Sequence, residues 1–456
     1  MFFEQIKTPG LGCFSYMVGC PLAGVMAVVD PRRDTDVYLR SAADNGMRIT
    51  HIFDTHVHAD HISGAQQLRA ETDAVICVHE SAPVGYEAHK VKDGDEFPFG
   101  NAFIRVLHTP GHTPNSISLL ISDLARSPEP EMILTGDLLF VGDIGRPDLP
   151  GEEILDEQIE NLHNSLYGKL GQLPDYLEVY PGHGQGSLCG QGMSAKPSST
   201  LGYERIGNHM LRYPDFAEFK RAVLSNLPSR PRSFSAIIQG NMNKVPVLPK
   251  CDHGSYALEP DEVDEFRKTG VILDLRDGLP FSAAHIPGSI HVDASADNFL
   301  NWVGVAVAPG TPIVLILPAC VTYGEMIREM QRIGYDKDVK GWLKGGVPEW
   351  LDSGRDTQGL PHISAANLRT RLAQTNPPVL IDVRTAGEIE EMKIDGSVSV
   401  PFDSILGQKS CPEPQKEIVV VCRSGYSASI AASLLQAKGC DCISVLSGRM
   451  NAWLRL

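Results

Sequence analysis

The sequence lacks an apolar run long enough to cross a bilayer. Its longest apolar tract, "WVGVAVAPGTPIVLIL" (302–317), is interrupted by Pro309, Gly310 and Pro312, whereas a spanning helix needs about 20 consecutive apolar residues. No N-terminal segment joins a basic start to an apolar core, so we expect no export signal. We therefore expect a cytoplasmic protein with no membrane partner.

The sequence also lacks runs of basic residues and a dense pattern of closely spaced cysteines. The chain has 40 Lys and Arg against 56 Asp and Glu, a net charge of −16, which argues against nucleic acid or an anionic membrane as partner. Ten cysteines are scattered over 456 residues, a distribution that indicates a reducing compartment rather than a disulfide framework. Cys440 and Cys442 form an isolated C-x-C, which we interpret as strand residues and not as zinc ligands.

The first half of the chain alternates short apolar runs with turns rich in Gly and Asp. Five of these runs end at a polar or ionisable residue: "AVICVH", "FIRVLHT", "SISLLIS", "EMILTGD" and "LEVYPGHG". This pattern predicts a layered α/β scaffold that presents a site on its loops. The segment 225–250 is rich in Pro, Ser and Asn and is predicted to be a linker that ends a first domain at about residue 245.

An internal repeat follows the predicted linker. "VILDLRDG" (271–278) recurs as "VLIDVRTA" (379–386), "IPGSIHV" (286–292) as "IDGSVSV" (394–400), and "IVLIL" (313–317) as "IVVVC" (418–422). Gly345 and Trp350 recur as Gly448 and Trp453. The repeat predicts two α/β domains, at 251–355 and 360–456, each with a parallel sheet covered by helices on both faces.

A histidine cluster occupies residues 55–65, "THVHADHISGA", which contains His56, His58, Asp60 and His61. Imidazole and carboxylate together suit zinc, iron or manganese. One loop cannot complete a coordination sphere, and we expect the remaining ligands at the downstream strand ends: His112, Asp137 and His183.

With these motifs, residues 1–245 resemble the metallo-β-lactamase superfamily, whose fold is an αββα sandwich with metal at one edge of two facing sheets. The resemblance implies one site at His56, His58 and His112, a second at Asp60, His61 and His183, and a bridging Asp137. Hydrolases similar to glyoxalase II use both sites. Persulfide dioxygenases hold a single Fe(II) through the positions of His56, His112 and Asp137, and the other four side chains then orient the ligands.

The segment "GDIGRPDL" (142–149) favours the dioxygenase. It is similar to the G-R-x-D signature of persulfide dioxygenases, with Arg146 and Asp148 in the matching positions, although these two residues could also form a simple surface ion pair. Cys189 lies shortly after His183 in a long loop. Two interpretations of Cys189 stay open, contact with the substrate sulfur and packing beneath the loop.

The stretch "VVVCRSGYSASIAASLLQAKG" (419–439) places Cys422 at a strand end, before a tight loop and a helix. Inward-pointing loop N–H groups and the helix N-terminus stabilise a thiolate or an anion. The domain resembles a rhodanese, which implies that Cys422 carries persulfide sulfur and that substrate is bound by the loop residues Arg423, Ser424, Gly425, Tyr426 and Ser427. A phosphatase is unfavourable because Ala428 stands where the C-x5-R loop needs arginine.

The middle repeat departs from this pattern. Leu317 occupies the place of Cys422, and Cys320 lies three residues further on, beyond Pro318. We interpret this copy as a degenerate rhodanese-like domain that serves as a spacer or docking surface.

The resemblances together imply a non-heme iron persulfide dioxygenase coupled to rhodanese transfer. The expected partners are a small thiol persulfide, dioxygen and sulfite, and the expected product is thiosulfate. The expected role is sulfide detoxification, and the expected assembly is a dimer or tetramer. Two alternatives stay open: a dinuclear zinc thioester hydrolase with sulfur-binding modules, and a non-enzymatic sulfur carrier or sensor. The sequence does not identify the thiol of the substrate.

Overall fold

A computed structural model of the chain describes residues 1–190, 192–225, 227, 230–248, 256–384, 386–413, 415–423 and 425–455. The chain forms two compact units, Met1–Cys251 with Arg328–Gly334, and Asp252–Ile327 with Tyr335–Leu456. Within the described residues the longest α-helix has 11 residues, and no helix is long and apolar enough to cross a bilayer.

The first unit is built from two six-stranded sheets and a short two-stranded ribbon. The strands, in chain order, are β1 (Phe2–Lys7), β2 (Phe14–Cys20), β3 (Val25–Val29), β4 (Arg48–Phe53), β5 (Val75–His79), β6 (His89–Val91), β7 (Glu96–Phe99), β8 (Ala102–His108), β9 (Ile117–Asp123), β10 (Met132–Gly136), β11 (Leu139–Phe140), β12 (Asp143–Ile144), β13 (Glu178–Pro181) and β14 (Ser199–Thr200). One sheet has the order β1-β2-β3-β4-β5-β6 and the other β14-β13-β10-β9-β8-β7.

Helices cover the outer faces of both sheets. They are α1 (Asp36–Asp44), α2 (Ala65–Thr72), α3 (Leu155–His163), α4 (Leu201–Gly207), α5 (Phe216–Ser225) and α6 (Ser233–Met242). One apolar cluster, including Phe53 and Leu119, lies between the sheets, and two others join a sheet to its helices through Leu68 and Phe219. The predicted αββα sandwich is confirmed.

The predicted strand ends meet at one edge of this sandwich. The five apolar runs singled out in the sequence form β5, β8, β9, β10 and β13. Asp137 directly follows β10, His183 stands two residues after β13, and the two strands are parallel neighbours. Because carboxyl ends of adjacent parallel strands lie at the same edge, the two side chains come together there.

The prediction of a linker over 225–250 is wrong for its central part. Residues 233–242 form α6, which buries Phe234, Ile237 and Asn241. The abundant Pro, Ser and Asn suggested a linker because those residues are typical of loops. The helix forms because its apolar side chains find a face of the first unit to pack against, with Phe234 in a cluster with Ala59 and Leu149.

The second unit contains two five-stranded parallel sheets. The first has strands β15 (Ala257–Leu258), β16 (Val271–Asp274), β17 (Ile290–His291), β18 (Ile313–Ile316) and β19 (Val339–Leu343), with helices α7 (Pro260–Phe266), α8 (Gly278–Ala283), α9 (Phe299–Ala306), α10 (Tyr323–Arg332) and α11 (Gly346–Asp352). The other has β20 (His362–Ile363), β21 (Val379–Asp382), β22 (Val398–Ser399), β23 (Ile418–Val421) and β24 (Ile443–Leu446), with α12 (Ala365–Leu372), α13 (Ala386–Glu391), α14 (Phe402–Gly407), α15 (Tyr426–Gln436) and α16 (Arg449–Leu454).

The two sheets share one strand order, β15-β19-β18-β16-β17 and β20-β24-β23-β21-β22. Their registers also match, since Asp274 pairs with Ile316 in the middle repeat and Asp382 with Val421 in the last. Leu317 follows Ile316 as Cys422 follows Val421, so the alignment of these two positions is confirmed. Each repeat therefore places a different side chain at the same point of one scaffold.

The expectation of cysteines free of disulfides is wrong for the last repeat. Cys411 and Cys440 are joined by a disulfide across 29 residues. Cys440 and Cys442 are also not strand residues, because β24 begins only at Ile443. The pairing could not be predicted from the sequence because the two cysteines are 29 residues apart. Only the fold brings their Cα atoms to 5.1 Å, a distance that a disulfide can bridge.

Replacing Cys440 with Ser should destabilise the last repeat by about 3–4 kcal/mol, because the cross-link restricts a loop of this length in the unfolded chain. Hydrogen exchange of peptides from this repeat, measured in increasing urea, checks the value. Cys442→Ser is the matched control, since Cys442 is free and exposed only two residues away. Equal stability of the two variants would contradict the cross-link.

Candidate metal centre and thiol loop

The histidine loop after β4 is held by one carboxylate, that of Asp30. Asp30 follows β3 with a left-handed backbone, φ 50°. Its Oδ1 accepts from the Thr55 backbone N–H at 2.7 Å and from His58 Nε2–H at 3.0 Å, and its Oδ2 accepts from the Thr55 hydroxyl at 2.8 Å. These bonds place the start of the loop beneath the site, which is one reason for a strained backbone to persist there.

The same bonds determine which nitrogen of His56 is available to a metal. The Thr55 hydroxyl gives its proton to Asp30, so its oxygen accepts from His56 Nδ1–H at 3.1 Å. His56 Nε2 is left with a lone pair. Burial first, and then the neighbouring His58, lower the pKa of His56 well below its ordinary value, which keeps the imidazole neutral.

His112 is oriented in the same manner by the segment that carries the G-R-x-D residues. Its Nδ1–H donates to the backbone carbonyl of Arg146 at 2.7 Å, and burial lowers its pKa. The Arg146 guanidinium makes two bonds of 2.7 Å to the Asp148 carboxylate. Arg146 is buried, so this is not a simple surface ion pair, and the pair fixes the carbonyl that orients His112.

His56, His112 and Asp137 converge on one point with unused ligand atoms. Their ligand atoms lie within 4.8 Å of one another, with 3.4 Å between His112 Nε2 and Asp137 Oδ2 and 3.9 Å between His56 Nε2 and the same oxygen. His112 Nε2 and Asp137 Oδ2 are buried and have no hydrogen-bond partner among the described residues. Unpaired buried polar atoms are costly, and two neutral imidazoles facing one carboxylate oxygen fit a divalent metal.

The other candidate ligands form a closed hydrogen-bond network. His183 donates from Nδ1 to Asp137 Oδ1 at 2.7 Å and from Nε2 to Asp60 Oδ2 at 2.9 Å. Asp60 also accepts from His61 Nδ1–H at 3.1 Å. Burial alone would lower the pKa of His183, but neighbouring negative charges, Asp137 first, raise it well above its ordinary value. The Asp60 oxygens, both His183 nitrogens and His61 Nδ1 are thus engaged in hydrogen bonds.

His58 stands between the two loci. Its Nε2–H is committed to Asp30, and its Nδ1 is buried without a partner among the described residues. It belongs to a second group of close ligand atoms, with Asp60 and His61, and not to the group of His56, His112 and Asp137. His58 could therefore bind a metal only through its Nδ1.

Glycines beside the ligands allow backbone to approach them closely. A Cβ on Gly145 would lie 1.8 Å from the Asp137 carbonyl oxygen, and a Cβ on Gly182 would lie 2.5 Å from Asp137 Oδ1. Neither position can carry a side chain while the ligands stay in place.

Two cysteines border the closed network. Cys13, which the sequence did not single out, donates its thiol to Asp60 Oδ2 at 2.9 Å. Cys189 is buried with Phe140 and Met193, and its sulfur lies within 4.8 Å of ligand atoms of Asp137 and His183. Burial raises the pKa of the Cys189 thiol well above its ordinary value. Both interpretations of Cys189 stay open on this geometry, which combines burial with nearness to the site.

Asn241 of α6 secures the far side of the histidine loop. Its side-chain amide donates to the carbonyls of His58 and His61, at 2.9 and 2.8 Å, and its oxygen accepts from the Ser63 N–H at 2.9 Å. The segment expected to be a linker therefore holds the backbone of the metal loop.

A cleft of about 420 Å³ opens beside the metal ligands. Its wall includes Val57 and Thr113, the neighbours of His56 and His112, together with Leu149 and Met242. Arg230 contributes a guanidinium at the same wall, with its Nε buried and without a partner among the described residues. The cleft suits a small molecule that has an apolar part and an anionic group.

The loop after β23 surrounds the Cys422 sulfur with backbone donors. The N–H groups of Gly425 and Ala428 donate to Cys422 Sγ, at 3.0 and 3.3 Å. Gly425 has the left-handed φ of 85° that lets the chain turn into α15. The inward-pointing loop predicted from the sequence is confirmed, and it suits a thiolate.

The remaining loop residues have different surroundings. The Arg423 side chain is 81% exposed and lies 3.6 Å from the Glu388 carboxylate. The Tyr426 hydroxyl donates to the Asp293 carbonyl at 2.9 Å, and Ser427 is half-buried. Ser424 lies outside the described residues. Substrate binding by these residues stays a prediction.

Parts of this chain match known protein families and a solved structure. The sequence matches the Metallo-beta-lactamase superfamily over residues 10–183 and the Rhodanese-like domain over 259–353 and 364–456. The crystal structure of a metallo-beta-lactamase from Staphylococcus aureus subsp. aureus COL is 32% identical, with a TM-score of 0.67, and the match covers 75% of this chain and 98% of that one.

Curated relatives include enzymes of two kinds. Hydroxyacylglutathione hydrolase of Nitrosococcus oceani is 31% identical over 200 residues, covering 40% of this chain and 66% of the hydrolase. Persulfide dioxygenase ETHE1, mitochondrial, of Bos taurus is 26% identical over 245 residues, covering 53% of this chain and 88% of the dioxygenase. The degree of identity does not choose between the two activities.

Asn241→Ala should weaken metal retention and lower the free energy of unfolding of the first unit by about 1–3 kcal/mol, because it leaves buried carbonyls without a donor. Equilibrium dialysis and urea unfolding measure the two effects. Asn243→Ala is the control, since the exposed Asn243 amide bonds only the Gln239 carbonyl of its own helix. Equal metal retention in both variants would show that α6 does not support the site.

Proposed function

Because this chain belongs to the metallo-β-lactamase superfamily and carries two rhodanese-like domains, we propose that it couples a mononuclear Fe(II) persulfide dioxygenase to sulfur transfer at Cys422. The observation that carries the proposal is the contrast between two groups of ligand atoms. One group has unpaired atoms directed at a common point. In the other, Asp60 and His183 are hydrogen-bonded to each other and to Asp137 and His61, and His58 Nδ1 has no partner among the described residues.

The proposed metal ligands are His56, His112 and Asp137, a set of two imidazoles and one carboxylate that leaves coordination positions open. Iron bound there would supply the redox chemistry that dioxygen activation requires. Thr55 holds the Nδ1 proton of His56, and the Arg146 carbonyl holds that of His112. His183 occupies Asp137 Oδ1 and so directs Oδ2 towards the metal position.

In the proposed reaction a thiol persulfide, dioxygen and water give the thiol and sulfite. The sulfur–sulfur bond breaks, the terminal sulfur is oxidised and dioxygen is reduced. The cleft beside His56 and His112 would take the organic part of the persulfide, and Arg230 would face an anionic group of the thiol. The cleft has room for a small thiol, but its lining does not choose one.

In the proposed transfer the Cys422 thiolate first attacks the outer sulfur of a second persulfide, and the thiol leaves as the sulfur–sulfur bond of that persulfide breaks. Sulfite then attacks the outer sulfur of the Cys422 persulfide, so that one sulfur–sulfur bond forms as the other breaks. Thiosulfate leaves, and the Cys422 thiolate is stabilised by the Gly425 and Ala428 N–H groups. Leu317 at the equivalent position of the middle repeat supports a copy that transfers no sulfur.

A dinuclear zinc thioester hydrolase is the second candidate. It is favoured by the presence of all seven superfamily ligand side chains at one edge and by the similarity to hydroxyacylglutathione hydrolase. Metal quantification under anaerobic conditions, followed by oxygen-electrode assays with several persulfides, separates the candidates. One iron per chain with steady oxygen uptake would support the dioxygenase. Two zinc ions per chain would support the hydrolase, and a lack of turnover would support a sulfur carrier or sensor. Sulfide detoxification, a cytoplasmic location and a dimer or tetramer stay predictions.

His112→Ala should abolish oxygen uptake and weaken iron binding at least about 100-fold, because it removes a ligand nitrogen from the mononuclear group. His61→Ala should keep most of the iron and lower activity, because His61 reaches the site only through Asp60. Iron content after dialysis, measured beside oxygen uptake, checks both variants. Equal loss of metal from the two would contradict a mononuclear site.

Cys422→Ser should leave oxygen consumption intact while thiosulfate falls below about a tenth of its wild-type yield and sulfite accumulates, because the carrier nucleophile is missing. Chromatography of the products beside an oxygen trace gives the measurement. Cys320→Ser, in the middle repeat, should behave as wild type. Unchanged thiosulfate from Cys422→Ser would move the transfer to another cysteine, with Cys189 the first to test.

A further inference from the structure

Both backbone donors to the Cys422 sulfur are adjacent in sequence to a residue tied to the middle repeat. Gly425 precedes Tyr426, whose hydroxyl donates to the Asp293 carbonyl at 2.9 Å. Ala428 precedes Ser429, whose hydroxyl is 2.8 Å from His291 Nδ1. The loop that holds the thiol is therefore attached at two points to a strand end that carries no catalytic cysteine.

His291 is prepared to accept the Ser429 hydroxyl. Its Nε2–H donates to the Arg276 carbonyl at 2.9 Å, and burial lowers its pKa, so the ring is neutral with a lone pair on Nδ1. Its backbone N–H donates to the Ser433 hydroxyl at 3.0 Å, one turn further along α15. The imidazole stacks on Phe281 with ring centroids 4.3 Å apart. A residue with all these contacts has little freedom to move.

The charged groups around His291 come from its own repeat. They are Asp274, Asp293 and Arg276, and the α15 residues that contact it, Ser429 and Ser433, are neutral. The contact with α15 therefore does not need a charged imidazole.

The repeat itself provides an internal comparison. The strands β17 and β22 are equivalent, so His291 corresponds to Ser399. Ile290 and His291 are buried against α15, whereas Val398 and Ser399 are exposed. In the middle repeat this edge of the sheet is therefore packed against α15, whereas the equivalent edge of the last repeat is exposed. The residues that bond the thiol loop, His291 and Asp293, lie at the end of this edge strand.

We propose that His291 is a positioning residue for Cys422, and that the middle repeat holds the first turns of α15 so that the Gly425 and Ala428 N–H groups stay directed at the sulfur. This inference rests on the proposed sulfur transfer at Cys422. It gives the copy without a catalytic cysteine a direct part in the chemistry of the other copy.

The test measures the pH profile of Cys422 alkylation by iodoacetamide in the full chain, with mass spectrometry to locate the adduct. In His291→Ala the profile should move to higher pH, because the backbone donors that stabilise the thiolate lose their tether. The kcat for thiosulfate formation should fall about 10-fold with little change in KM, as expected when donors are misplaced and binding is not. His291→Gln, whose amide offers both a donor and an acceptor, should restore most of both.

His285→Ala is the matched control. His285 is also a buried imidazole stacked on Phe281, with centroids 3.9 Å apart, and its Nδ1–H bonds only the Phe281 carbonyl. This variant should keep the wild-type profile. An equal displacement in His285→Ala, or a wild-type profile in His291→Ala, would overturn the proposal.

Ser429→Ala keeps the proposal falsifiable if His291→Ala does not fold. It should displace the alkylation profile to higher pH on its own. Where His291→Ala folds, the double variant His291→Ala with Ser429→Ala should be displaced little further than His291→Ala, since both changes act on one contact. Strict additivity, or a wild-type profile for Ser429→Ala, would overturn the proposal. Wild-type protein that forms no thiosulfate would instead contradict the proposed transfer, while the alkylation comparison would still test the positioning.

Discussion

The Asp30 carboxylate is the interaction on which the metal centre depends. It receives three hydrogen bonds from the histidine loop, and through Thr55 it determines where the proton of His56 resides. Without it a buried imidazole could present either nitrogen. A second carboxylate, that of Asp137, bonds His183 through Oδ1 and faces the His112 and His56 nitrogens through Oδ2. The hydrogen bonds that the candidate ligands make to surrounding residues thus determine how the ligands are oriented.

Much of this arrangement could be predicted from the sequence, because strand ends and ligand types are local features. Apolar runs ending at His and Asp identified β5, β8, β10 and β13, and the repeated strings identified the two parallel sheets. The partners of the ligands were missed. Asp30 has the signal of a strand-end carboxylate, "VMAVVD", but nothing in the string shows that it reaches His58. Cys13 carries no signal at all, since its contact with Asp60 spans 47 residues.

The choice between one metal and two illustrates the same limit. All seven candidate side chains are present, and a list of ligand types is identical for both interpretations. The distinction comes from which atoms already have partners, a property of the folded chain. The disulfide between Cys411 and Cys440 and the helix α6 escaped for a related reason. In both cases the composition indicated only local preferences. The structure that forms depends on contacts with residues distant in the sequence.

The position of Asn241 has a consequence for the order in which the protein matures. The histidine loop is finished early in synthesis, at residue 64, but the carbonyls of His58 and His61 receive their donor only from residue 241. A nascent chain that has left the ribosome as far as β13 has its proposed ligands but not the amide that fixes their loop. Since domains fold as units during translation, the loop cannot reach its final hydrogen-bonded geometry until α6 has emerged. The hydrogen bonds that fix the histidine loop are therefore completed late in synthesis, well after the loop itself has been made.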